Sequence, residues 1–226
     1  MPRDTLTKEQ IVRTAIDLLD AEGLEGLNMR ALGKRLDSAA TAVYWHVKNK
    51  DNLVLLAGDQ VWQEIELPDP AAVGWRTAAA RTATGLLALF GRHPWLVQAL
   101  GTHLLYGPGK ARYDDHSLAV YESAGFTAAA ADRAAATVFT FVLGSALGDA
   151  ANASLARRLG GAGGDAEERT RQAVAEARKV AEGFPRLRAR LDDPAAEYNA
   201  SPERTFEFGL RALLDGLESE LRASAV

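Results

Sequence analysis

Residues 27–50, LNMRALGKRLDSAATAVYWHVKNK, constrain this chain more than any other segment. They read as two short helices joined by a tight turn. The second helix ends in Val43, Tyr44, Trp45, His46 and Val47, and a basic Lys48-Asn49-Lys50 follows at once. Val43 and Val47 are four apart, so they share one inward edge. Thr41, Ala42, Tyr44, Trp45 and His46 are then left partly or wholly outward. Aromatic rings with polar tips, next to lysines, suit a surface laid against a sugar-phosphate wall. This is the layout of a helix-turn-helix, in which the first helix braces the backbone and the second enters the major groove of a duplex. The bracing helix is expected at about 29–36 and the recognition helix at about 40–47.

Local signals around this run are clear. Thr7 and Gln10 form a capping box for a first helix, with Leu6 and Ile11 at the staple positions. Ile11, Ala15, Leu18 and Leu19 make its apolar stripe, and Gly23 is expected as its left-handed stop. Asn28 is an N-cap for the bracing helix, whose free N–H groups and Arg30 suit a phosphate. Asn49 caps a fourth helix predicted to reach about residue 67, where Pro68 and Pro70 end it. Lys50 at its start suits a phosphate contact.

Beyond this point Ala, Leu, Arg and Glu dominate and no strand alternation appears. Helices are expected at about 71–91, 95–106, 110–124, 127–158 and 166–182. A final helix opens at Ser201-Pro202. The segment 160–164, GGAGG, reads as a mobile loop. The chain is thus all-α: a three-helix head over 1–50 and a larger helical body over 51–226. The head carries eight Lys/Arg against seven Asp/Glu, and the body eighteen against twenty-three. An acidic body leaves any phosphate attraction to a local basic surface. Cysteine is absent, which removes disulfides and thiolate metal sites and fits a reducing cytoplasm. The N-terminus lacks a signal-peptide core. The most apolar stretch, 138–147, falls short of the ~18 residues a membrane span needs.

Residues 5–60 closely resemble the DNA-binding head of the tetracycline-repressor (TetR) family, in which a helix ending Tyr-Trp-His-Val-x-Asn-Lys recurs. Weaker echoes follow at Leu100-Gly101-Thr102, Tyr121-x-x-x-Gly125-Phe126, Phe139-x-x-x-Leu143-Gly144 and Phe206-x-x-Gly209-Leu210. The resemblance implies a one-component transcriptional regulator, a repressor released from operator DNA by a small molecule. It implies a homodimer, with the long and final helices of two subunits forming a four-helix bundle. Gly144 and Gly148 would allow close backbone approach there, and Leu210, Leu213, Leu217 and Leu221 would supply the apolar face. Family motifs place Thr102, Ser117, Leu118, Tyr121 and Phe139 near an effector cavity, to which the body could add Trp95 and His103. Asn28, Arg30, Ala40, Thr41, Ala42, Tyr44, Trp45, His46 and Lys50 make up the expected DNA face.

Three departures bear on these implications. The family usually has Gly at the turn, where the backbone needs positive φ; here it is Asp37, followed by Ser38. Ala40 and Ala42 cannot hydrogen-bond to bases, so readout would lean on thymine methyls, Arg30 and DNA shape. Tetracycline-binding members place a His before Leu-Gly-Thr and a Glu on the long helix. Ala99 and Gly148 stand there, so neither tetracycline nor magnesium is carried over, and a largely apolar or aromatic effector is expected. An enzyme is not expected. His46, His93, His103 and His116 lack paired ligand spacing, Gly109-Lys110 lacks the upstream Gly of a phosphate loop, and Asp114-Asp115-His116 reads as a charged helix face. No cofactor is implied. The competing reading is a ligand-binding helical dimer whose head has lost DNA affinity through Asp37 and its Ala-rich reading face.

Overall fold

A computed structural model of the chain describes residues 6–38, 40–160, 166–193 and 202–224. Among them there are twelve helices and no strand. The head comprises α1 (Lys8–Gly26), α2 (Met29–Arg35) and α3 (Ala40–Val47), and α4 (Lys50–Trp62) leads into the body. The body holds α5 (Pro70–Val73), α6 (Trp75–Arg92), α7 (Pro94–Thr102), α8 (Pro108–Ser123), α9 (Ala128–Gly160), α10 (Ala166–Glu182), α11 (Pro185–Asp192) and α12 (Pro202–Ser224).

Helix starts follow the caps read from sequence. Thr7 Oγ1 accepts from Gln10 N at 3.2 Å while Thr7 N donates to Gln10 Oε1 at 2.8 Å. Asn28 Oδ1 accepts from Ala31 N at 2.8 Å and Asn49 Oδ1 from Asn52 N at 2.7 Å. Gly23 has positive φ (71°) but an extended ψ (−174°), so it kinks α1 and one further turn runs to Gly26. Residues 161–165 and Ser201 lie outside the described residues.

Helix ends depart from expectation. α4 stops at Trp62 rather than near residue 67. Arg112 of α8 donates to the freed carbonyls of Gln63 (3.3 Å) and Ile65 (2.8 Å), so the chain leaves the helix without leaving those groups unpaired. The helix expected over 71–91 is split at Gly74, whose φ of 80° no other residue adopts easily. α7 ends at Thr102, not near residue 106, and α11 was not foreseen.

One charged cluster joins head to body. His93, at the α6–α7 junction, is buried. Its Nδ1 lies 2.7 Å from Asp20 of α1, and its Nε2 lies 3.3 Å from Glu64 beyond α4. Trp95 Nε1 also donates to Asp20, at 2.7 Å, and Arg92 donates to Glu64 at 3.0 Å. Both imidazole nitrogens face carboxylate oxygens, an arrangement that favours the protonated ring, in which both nitrogens donate. Burial works against that charge, yet Asp20 and then Glu64 hold its pKa above the ordinary 6.5. A raised folded pKa means the contribution to stability is complete below about pH 6.5 and is lost as pH rises through the folded value. The melting temperature should therefore fall over that window. His93→Gln should flatten the fall; an unchanged slope in the variant would remove His93 as its source.

The body core is an α6–α7–α8–α9 packing. α12 lies on α9 through Phe206 stacked on Phe141 at 5.5 Å, and Arg76 of α6 binds Asp215 and Glu218 of α12. This alters the expected apolar face. Leu210 is 6 % exposed and Leu214 2 %, so they belong to the core of this chain. Leu217 and Leu221 are half-buried against it, and Leu213 is half-buried. Left exposed are Phe208 on α12 and Leu147 and Leu155 on α9, with open space at Gly144 and Gly148. Residues 128–155 of α9 are long and apolar enough to cross a membrane by length and composition, although only 28 % of the most apolar window is buried. The most apolar stretch is shorter, at 138–147, because Asp132 and Arg133 precede it and Asp149 follows it.

Candidate functional sites: a helix-turn-helix face and a body cleft

The turn of the head is built as the pattern required. Asp37 has a φ of 46°, and Ser38 N donates to the Gly33 carbonyl at 2.9 Å, the bond that closes a helix through a left-handed residue. The departure from Gly therefore costs strain but not geometry. Asp37→Gly should raise stability by a few tenths to about 1 kcal/mol, about 1–3 °C in melting temperature. A lower melting temperature would show that the carboxylate makes a contact worth more than the strain. A second left-handed residue, Lys48 (φ 59°), ends α3 and lets Asn49 cap α4 at once. No local sequence pattern announces it.

Val43 and Val47 are fully buried, which turns the opposite edge of α3 outward. Trp45 is 89 % exposed and Tyr44 48 %, His46 is exposed and Ala42 half-buried. Ala40 and Thr41 stand in the first turn of α3. Arg30 is exposed in the first turn of α2 and makes no ion pair among the described residues. Two expected phosphate contacts are more committed. Asn28 spends its side chain on the cap and on the Gly26 carbonyl (3.0 Å). Lys50 Nζ donates to the Leu24 carbonyl at 2.7 Å, tying the start of α4 to the end of α1. Two of its three protons are still available.

In the body, α8 and α9 open a cleft of about 270 Å³ lined by Lys110, Tyr113, Asp114, Ser117, Leu118, Asp132, Ala135, Ala136 and Phe139. Tyr113, Ser117 and Ala135 also border a small inner void of about 20 Å³, room for roughly one water, which reaches Thr82 and Tyr121. Of the residues expected at a cavity, Ser117, Leu118, Tyr121 and Phe139 are brought together here. Trp95 is not: it is fully buried on the Asp20 cluster. Thr102 donates to the Gln98 carbonyl within α7, and His103 faces Asp51 at the start of α4 at 3.6 Å; neither lines the cleft. Tyr113 was missed, although Tyr113, Ser117 and Tyr121 recur every fourth residue on one face of α8. Burial pushes the Tyr113 phenol up to about 12 and raises Tyr121 as well, so both remain hydroxyl donors. Burial and then Arg112 hold His116 below its ordinary pKa, leaving a neutral ring 3.4 Å from Thr82 at the void.

The cleft touches α4. Phe139 and Tyr113 pack on Trp62, the last residue of that helix, with centroids at 6.4 and 4.8 Å. Asp59 of α4 accepts from Gly109 N (2.8 Å) and Lys110 N (3.2 Å), capping α8. Gly107 and Gly109 permit this end-on approach, since a Cβ at either would collide with Asp59. In the sequence, Gly107-Pro108-Gly109 marks only a break between two helices. Among the described residues no cluster of three or more His, Asp or Glu side chains is placed to hold a metal.

Residues 11–57 match the model of "Bacterial regulatory proteins, tetR family", and residues 67–221 that of "Tetracyclin repressor-like, C-terminal domain". The chain belongs to the tetracycline-repressor family. It is a DNA-binding transcriptional regulator with a ligand-binding body. An HTH-type transcriptional regulator of Saccharopolyspora erythraea is 32% identical over 94% of this chain and 84% of its own. The HTH-type transcriptional repressor DrrR1 of Streptomyces coeruleorubidus is 33% identical, over 96% and 79%. Among solved structures, the Streptomyces coelicolor TetR family protein ActR in complex with actinorhodin superposes with a TM-score of 0.76 at 27% identity, covering 96% of this chain and 98% of that one.

Proposed function

We propose that this protein is a homodimeric repressor that leaves its operator when a largely apolar or aromatic small molecule fills the α8–α9 cleft. One observation carries the reading: the cleft residues Phe139 and Tyr113 pack on the end of α4, the helix that starts beside the recognition helix. The ActR complex with actinorhodin and the naming of DrrR1 as a repressor support it. The head is taken as 1–50 and the body as 51–226, with α4 packed on both α1 and α8. Thr41, Ala42, Tyr44, Trp45 and His46 would meet the groove, and Arg30 and Lys50 the phosphates. Gly144, Leu147, Gly148 and Phe208 would lie on the two-fold seam, which would also cover the apolar face of α9. The protein works in the cytoplasm and performs no catalysis.

Half-sites are read about 34–36 Å apart, so a tilt of α4 in each subunit lowers affinity for a rigid duplex. To reverse a 1:99 equilibrium the ligand must favour the released state by about 5.5 kcal/mol. The test is fluorescence anisotropy with DNA from upstream of the protein's own gene, then titration with planar aromatic compounds. Saturable binding reversed by one of them is expected. Binding of no DNA, with a ligand still bound by the body, would instead favour a dimer without specific DNA affinity.

A further inference from the structure

We propose that the aromatic box around Lys110 is a cation site, and that the effector carries an ammonium group on its aromatic frame. This rests on the effector reading above and adds the charge of the ligand.

Lys110 Nζ lies 5.1 Å from the Trp62 ring centroid, 5.5 Å from Phe139 and 5.7 Å from Tyr113. Three rings, from α4, α9 and α8, thus converge on one charge. The Lys110 side chain is only 17 % exposed, and both Asp114 oxygens lie against its ammonium at 2.5 and 2.6 Å. Rings gathered around a cation in this way are how proteins hold ligand ammonium groups. Here the place is filled by a side chain of the chain itself.

Apart from its i,i+4 pair with Asp114, Lys110 is poorly placed to stabilise α8. It stands in the first turn, where a cation opposes the helix dipole. The N–H groups of that turn are already served by Asp59. Lys110 is also the only cation among the described residues lining the cleft, against Asp114 and Asp132. If it swings out to water on its flexible stem, an acidic, aromatic-walled space remains. A ligand ammonium then replaces Lys110 between the rings and Asp114, charge for charge, while its planar frame lies in the cleft. Trp62 adds a second point: its Nε1 is buried without an acceptor, and a ligand oxygen beside the cation would relieve a desolvated donor.

The test is calorimetric titration of the full chain at about pH 7 with 9-aminoacridine, a planar cation, and anthracene-2-carboxylate, a planar anion. The cation should bind about tenfold or more tightly than the anion. Lys110→Ala should strengthen cation binding severalfold by removing the competing ammonium. Asp114→Asn, a surface change that leaves the fold intact, should weaken it by a similar factor. Tighter binding of the anion, lost in Lys110→Ala, would overturn the proposal and make Lys110 an anion anchor. Binding of neither probe, or binding indifferent to both substitutions, would overturn it too. Operator affinity, measured on the same preparations without probe, reads the repressor function separately. Its absence would sink that reading and leave the cation result standing.

Discussion

Leu147→Glu combined with Phe208→Glu should yield a folded monomer that no longer holds a palindromic operator. Leu147 is 56 % exposed and Phe208 66 %, so neither change removes a core contact within the chain. On a two-fold seam each residue counts twice. Burying a Leu or Phe side chain contributes about 1.5–3 kcal/mol. Four such side chains lost, with four carboxylates to desolvate, weaken association by at least about 4 kcal/mol, roughly a thousandfold. Sedimentation should show the monomer, circular dichroism an intact helical fold, and operator binding should collapse. A dimer that persists and still binds DNA would place the seam elsewhere. Changes at Leu210 or Leu214 would not test this, because both are buried within the chain and their loss would unfold it.

Trp45→Ala should leave the melting temperature unchanged and weaken operator binding by about a hundredfold. At 89 % exposure the indole makes no burial contribution to the free head, so its loss should cost less than about 0.5 kcal/mol of stability. Packed against a duplex it would bury much of its surface. Two heads at roughly 1.5 kcal/mol each give about a hundredfold per dimer. No charge is removed, so the salt slope of binding should not change. An unaltered affinity would mean α3 meets DNA by another edge. A lower melting temperature would mean Trp45 packs on the protein after all.

Much of this architecture was legible because helix starts are local events. Thr7, Asn28 and Asn49 each bond to a backbone N–H three residues on, and nothing distant is needed. The spacing of Val43 and Val47 was enough to orient α3, and through it Tyr44 and Trp45. The positive φ at Asp37 was expected from the family resemblance, in which Gly usually stands at that turn. Helix ends were less legible, since free carbonyls accept from whatever packs beside them. Arg112, far along the chain, takes those beyond Trp62, and no local pattern announces it.

The cleft divides in the same way. The family motifs pointed to Ser117, Leu118 and Phe139, which line the cleft, and to Tyr121, which borders the inner void. Trp95 could not be placed in advance, because a buried indole goes wherever an acceptor waits, and that acceptor is Asp20 of α1. Trp62 and Lys110 became partners only when α4, α8 and α9 converged. By itself the sequence determined the all-helical class, the helix starts and the outward face of α3, since each depends on residues within two helical turns. Only the tertiary structure decided where helices stop, which leucines of α12 are spent inside the chain, and which side chains surround the cleft. Those outcomes depend on surfaces of different helices meeting in space, and helical periodicity carries no information about which helices meet.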